Sequence, residues 1–269
     1  MARPSEGYRN AAGQPIPGTT DIIKRFMNRD RLLYWAFARG KQGHAKLYDN
    51  SALDVGTATH TMAELDLKGD PAESIEFYLT ATLRDPDEQD KARAAFASFK
   101  QWRAEFAVEP HVQELSLVSE RLQFGGTIDN VAHIRKGLGL VDFKTSTKGE
   151  VYEDMVLQLA AYGILWEETH PAEKITEGYH LIVLPKDGSK PIHREWTHEQ
   201  LNPFRQKFWL YRRAYDYDAV CNDPVTLQGT AIKPSKPRAP RREKVAPTQP
   251  ASIGELMRAY GLIRPEVRA

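Results

Sequence analysis

The sequence predicts a mixed α/β layer arrangement, because its elements read in the order helix, three strands, helix, strand, helix. Two observations carry this reading. Apolar residues recur at helical spacing before Pro110, whereas after it three extended runs follow one another, parted by short turn signals. A long apolar helix then separates those runs from one further strand of the buried type.

Each element has its own justification. Residues 1–17 read as a loose leader. Thr19, Thr20 and Asp21 offer N-caps to a short helix ending at Met27, and residues 28–30 offer caps to another carrying Leu32, Leu33, Trp35 and Phe37 as core. Gly56 opens a helix reaching about Leu67. Residues 87–106 form a longer one, with Phe96, Phe99 and Trp102 on one side. Residues 112–124 are expected as a strand, Gly125 and Gly126 as a turn, 127–135 as a second strand, Lys136 and Gly137 as another turn, and 138–145 as a third strand. The helix over 151–168 draws its apolar face from Met155, Leu159, Tyr162 and Trp166, with Pro171 beyond its end. Residues 179–184 give the buried strand, 191–196 its hairpin partner, and 198 to about 215 a final helix.

The chain has 269 residues and 41% hydrophobic content, enough for one sizeable core. No apolar run approaches the roughly 20 residues of a membrane span. Residues 1–14 lack the apolar stretch of a secretory signal, so a cytoplasmic location is expected. A lone cysteine, Cys221, excludes an intramolecular disulfide and any metal or iron–sulfur site needing several cysteines from this chain. With a net charge of +1, any positive field must be local. It concentrates in residues 224–251, where Lys233, Lys236, Arg238, Arg241, Arg242 and Lys244 alternate with Pro234, Pro237 and Pro240. Such a composition predicts an extended, mobile arm, either a DNA contact or a solvated tail. In residues 252–269, Ile253, Leu256, Met257 and Tyr260 lie at helical spacing, so a terminal amphipathic helix could dock on this protein or on a protein partner.

The chemistry concentrates in the strands. Strict alternation in the second strand places Ile128, Asn130, Ala132 and Ile134 on one side and Thr127, Asp129, Val131 and His133 on the other. Asp129 therefore sits inside a strand, a poor place for an aspartate without a task. In the third strand Leu140, Asp142 and Lys144 share a face opposite Val141 and Phe143. Carboxylates on adjacent strands can hold a hard divalent cation while leaving water positions open, and a nearby lysine can steer a water and stabilise phosphoryl oxygens. A simple surface ion pair between Asp142 and Lys144 is the plainer alternative.

The runs Gly126-Thr127-Ile128-Asp129, Val141-Asp142-Phe143-Lys144-Thr145-Ser146 and Gln158-Leu159-Ala160-Ala161-Tyr162 resemble the PD-(D/E)XK nuclease superfamily in its RecB-like branch. Upstream, Gly56-Thr57-Ala58-Thr59-His60 followed by Glu64 is similar to that branch's helical first motif. The likeness extends to phage-encoded exonucleases and to the mitochondrial genome-maintenance exonuclease, which share the Asp-hydrophobic-Lys-Thr-Ser run. It implies a restriction-endonuclease-like αβββαβ core with mixed sheet and added N-terminal helices, spanning residues 18–223.

It also implies Mg2+, with Mn2+ able to substitute, held by His60, Asp129, Asp142 and the Phe143 carbonyl, and Lys144 as the catalytic lysine. Gln158 and Tyr162 would touch the phosphate or steady Lys144, and Glu114 would serve as a further acid at the metal. No iron–sulfur cluster is expected.

The implied activity is a DNA exonuclease acting on single-stranded or frayed ends in replication, recombination or repair. Two alternatives stay open: a structure-selective DNA endonuclease, and a non-catalytic DNA-binding or recruitment module. Lys91, Arg93, Lys100 and Arg103, with Phe96, Phe99 and Trp102 among them, could wall a passage for one unpaired strand; equally, the aromatics are core and the cations face solvent.

Overall fold

The computed structural model describes residues 4, 6–27, 37, 41, 51–146, 149–223 and 226. The chain divides into two units, Met1–Asp223 and Pro224–Ala269. The expected arm and terminal helix, and the helix carrying Leu32 to Phe37, lie outside the described residues apart from Phe37 and Thr226.

The first unit begins with a small hairpin, β1 (Tyr8–Arg9) and β2 (Pro15–Ile16), then α1 (Thr19–Phe26). Helices α2 (Ser51–Lys68), α3 (Ala72–Thr82) and α4 (Pro86–Glu105) precede the meander β3 (Glu109–Ser119), β4 (Phe124–Ile134) and β5 (Gly137–Ser146). Helix α5 (Glu153–Thr169) crosses over to β6 (Tyr179–Pro185), followed by β7 (Ile192–Trp196) and α6 (His198–Cys221). The large sheet has the order β3-β4-β5-β6-β7, antiparallel throughout except for the parallel β5–β6 pair that the α5 crossover requires.

Two cores sandwich this sheet. On one face Leu140, Leu181 and Val183 pack with Leu159, Tyr162 and Trp166 of α5 and with Phe208 of α6. On the other, Val141, Phe143, Ile182 and Leu184 pack with Met62 of α2 and with Phe99 and Trp102 of α4. Helix α5 is buried on more than its expected stripe, because α6 covers the side turned away from the sheet. Phe99 and Trp102 are fully buried and Phe96 nearly so, while Arg93 pairs with Glu76 and Asp90, and Arg103 with Asp66. Large aromatic surfaces gain more from burial than from exposure, so α4 is a core helix and its rings are closed to stacking bases.

Gly125 and Gly126 do not form the expected turn; both lie within β4. The reversal is made by residues 120–123, where Gln123 adopts φ 53° and Ser119 Oγ accepts the Leu122 amide at 2.9 Å. The glycines serve close approach. A Cβ at Gly125 would stand 2.2 Å from the Tyr8 ring, and one at Gly126 would stand 2.8 Å from both Thr19 Oγ1 and the Tyr162 ring. The leader is likewise fastened where it is described. Tyr8 is buried, the Gly125 amide donates to the Pro17 carbonyl at 3.0 Å, and Asn10 Nδ2 donates to Gln123 Oε1 at 2.7 Å.

A buried relay under β6 and β7 fixes a protonation state. Trp102 Nε1 donates to His193 Nδ1 at 3.4 Å, His193 Nε2 lies 2.9 Å from His180 Nδ1, and His180 Nε2 lies 2.8 Å from the Glu177 carbonyl. All three contacts are satisfied at once only when both imidazoles are neutral, each carrying its proton on Nε2. Burial lowers the pKa of His180 to about 4, helped by His193 and Arg135 and opposed by Glu195. Between about pH 6.5 and pH 4 the unfolded chain therefore binds the extra proton, so this residue's contribution falls as pH drops, by up to about 3 kcal/mol. Urea titrations at pH 7.5 and pH 5 are expected to show a shallower pH dependence of stability in His180→Asn than in the wild type. Equal dependence would assign the proton uptake elsewhere.

Candidate active site

The site forms where two strands part. The β4–β5 ladder runs from Ile134↔Gly137 to Asn130↔Val141, after which β4 continues with β3 and β5 continues with β6. Asp129 stands at this fork. Its Oδ2 accepts the Phe143 amide at 2.8 Å, taking the place that a strand carbonyl would otherwise fill.

Strict alternation fails at the same level. Ile128 and Val131 both join the α5 core, whereas Ala132 and Ile134 join the α2–α4 core, so Ile128 does not share a face with Ala132 and Ile134 as period-2 counting predicts. Strand β3 breaks step beside it, because Val112 and Leu115 pack on the same core and Glu114 between them has φ 48°. A left-handed backbone at a non-glycine residue is a local irregularity that re-aims a side chain, here without a change of register, since the one register shift in this ladder lies between Pro110 and Val112. In β5 the expected faces hold: Leu140 lies in one core, Val141 and Phe143 in the other.

These irregularities gather side chains from three elements. Ligand atoms of His60 on α2, Glu114 on β3 and Asp129 on β4 lie within 4.8 Å of one another. His60 Nδ1 is 3.6 Å from Asp129 Oδ2, too long for a hydrogen bond but suited to two ligands sharing one ion. The His60 ring also stands edge-on to the Phe143 ring. Asp142 is fully buried and lies outside that trio, with Lys144 Nζ 2.5 Å from its Oδ2. From α5, Gln158 Nε2 donates to the Tyr162 hydroxyl, and Tyr162 faces the charges of Asp142 and Asp129. Tyr162 is thus both a core residue and a wall of the site.

The electrostatics describe a cluster short of positive charge. Burial pushes the Asp142 carboxyl up to about 6, against the pull of Lys144 and with the push of Asp129. Burial together with the charges of Asp129 and Glu64 pushes Glu114 up to about 8. Asp129 is also raised by burial. Burial and the Lys144 charge bring His60 down to about 4, leaving a neutral imidazole able to ligate. Burial draws Lys144 down, but the carboxylates of Asp142 and Asp129 outweigh it and keep the ammonium charged. Three carboxyl groups with suppressed ionisation beside a neutral imidazole fit a divalent cation, which would favour the ionised acids. With side chains 27% exposed at His60 and 21% at Lys144, the fork is open to solvent on that side.

Sequence reasoning missed Tyr8, Ser116 and Thr127, which form a hydroxyl chain beside the fork. The signal was the turn sequence from Asn10 to Gly13, which marks a hairpin rather than a loose leader.

Comparisons with known proteins give the chain a family. The family profile described as PD-(D/E)XK nuclease superfamily matches residues 33–223. Among solved structures, a candidate exonuclease from Eubacterium rectale is similar, at 11% identity and a TM-score of 0.43, over 74% of this chain and 80% of that one. LHK-Exo in complex with dAMP is similar at 13% identity and a TM-score of 0.32, over 63% of this chain and 93% of that one. No curated protein sequence matches the chain significantly.

Proposed function

The chain belongs to the PD-(D/E)XK nuclease superfamily, whose members depend on metal, and on that premise we propose that it is a magnesium-dependent deoxyribonuclease acting from the ends of single-stranded or frayed DNA. The observation that carries the nuclease reading is the fork, where the carboxylates of Asp129 and Asp142 and the ammonium of Lys144 meet the imidazole of His60. His60, Glu114, Asp129, Asp142 and the Phe143 carbonyl would hold the ion, an oxygen-rich set suited to Mg2+ with Mn2+ as a substitute. When bound, the ion would make a water more acidic and neutralise charge growing on the phosphate.

The chain's own groups do the rest. Lys144, kept charged by Asp142, can donate to the attacking water and to the phosphoryl oxygens, where charge accumulates. Gln158, steadied through its bond to Tyr162, presents its remaining amide capacity to the same phosphate. Tyr162 keeps its proton, because burial and the carboxylates raise its pKa well above the ordinary value, so it acts as a hydrogen-bonding wall and not as a base.

Nothing in this chemistry by itself demands a free end, since the groups act on one phosphodiester. The end requirement is therefore the part to test. Purified protein with Mg2+ should degrade end-labelled linear single strands and spare closed single-stranded circles, with all cleavage lost in EDTA. Cutting circles as fast as linear strands would replace the exonuclease with a structure-selective endonuclease. No cleavage of any DNA would remove the nuclease reading in favour of a binding module.

A further inference from the structure

We infer that Tyr8 is a positioning residue for the carboxylates of the fork, acting through a chain of three hydroxyls. The inference rests on the metal-site reading above. Tyr8 lies on the N-terminal hairpin, yet only 7% of it is exposed, and its ring fills the space that a side chain at Gly125 would need. Its hydroxyl lies 3.0 Å from Thr127 Oγ1, which in turn lies 2.8 Å from Ser116 Oγ. The hairpin is pinned at its tip as well, where the Ala11 amide donates to Glu120 Oε1 at 2.7 Å.

The place of this chain in the sheet gives it consequence. Ser116 and Thr127 are register partners on β3 and β4. Two residues further along the same strands stand Glu114 and Asp129, which share one cluster with His60. At this level both strands lose regular alternation and Glu114 takes its left-handed backbone. Here, too, β4 has left β5, so the β3–β4 arm no longer draws rigidity from that ladder. Two carboxylates that repel each other must nevertheless be held close enough to share an ion. A hydroxyl bridge from the hairpin across both strands, one step before the irregular residues, fixes the arm's twist and spacing. It thereby sets the distance of Glu114 and Asp129 from His60.

Titration of the full chain with Mn2+ alone, by calorimetry or by electron paramagnetic resonance, tests this. Tyr8→Phe keeps the ring over Gly125 and removes only the hydroxyl; Thr127→Val keeps the shape and removes the bridge; Thr127→Ser keeps the bridge. Loss of one such hydrogen bond should weaken Mn2+ binding by about fivefold in Tyr8→Phe and in Thr127→Val, with Thr127→Ser close to wild type. The Tm of Tyr8→Phe without metal should stay near the wild-type value, and kcat at saturating metal should change little. Unchanged Mn2+ affinity in Tyr8→Phe overturns the inference, whatever happens to the fold of Thr127→Val. Failure of the wild type itself to bind Mn2+ overturns the metal site, and the role of Tyr8 falls with it.

Discussion

Asp142→Asn should lower kcat by at least about 10³-fold, roughly 4 kcal/mol of transition-state stabilisation, without harming the fold. The side chain is fully buried, and Lys144 stands 2.5 Å from its Oδ2. In the proposed reaction Asp142 does two things: it donates an oxygen to the ion and aims the lysine. An amide of the same shape forfeits its negative charge and thereby both tasks. Stability runs the other way. Burial raises the carboxyl to about 6, so above that pH the metal-free fold bears a buried charge it would rather protonate, and the penalty fades as pH falls from this value toward the ordinary aspartate value. The neutral amide imitates the protonated acid. In EDTA at pH 8 the variant's Tm should equal or exceed that of the wild type, while the rise in Tm that Mg2+ gives the wild type should shrink. Retained Mg2+-dependent cleavage would remove Asp142 from the reaction, and a large fall in Tm would mean its charge supports the fold.

Lys144→Met should cost about 10²- to 10³-fold in kcat, for the neighbouring reason but with the opposite effect on the fold. The ammonium is the cation that opposes the buried Asp142 and Asp129. Removing it leaves Asp142 to protonate or to stay charged among apolar neighbours, and breaking a buried pair on one side destabilises strongly. The metal-free variant should melt several degrees below the wild type at pH 8, and most of that deficit should vanish near pH 5, where the carboxyl is protonated. Added Mg2+ should also restore part of it, because the ion supplies the missing positive charge. Differential scanning calorimetry at the two pH values, with and without Mg2+, separates these contributions. A pH-independent deficit would mean that the lysine acts by packing its aliphatic stem.

What the sequence determined by itself was whatever depends on neighbours along the chain. Capping residues marked α1, apolar spacing marked α4 and α5, the extended runs marked the five strands of the main sheet, and the pairing of Asp142 with Lys144 on one face of β5 follows from a regular two-residue step. The ordered motifs placed the chain in its family before any contact was known.

Tertiary structure decided whatever depends on neighbours across space. Gly125 and Gly126 read as a turn because glycine is a turn former, but a residue without a side chain serves equally well where Tyr8 and Tyr162 press against a strand. Phe96, Phe99 and Trp102 read equally well as a stacking wall or as core, and only the packing of α2 and the sheet against α4 chose core. Regular alternation assigned Ile128 to the wrong side, since the irregularity at Glu114 and Asp129 arises where β4 leaves β5, a parting that no local pattern encodes. That parting leaves one amide of Phe143 for a carboxylate instead of a strand, and brings the carboxylates of two strands to a histidine on a distant helix.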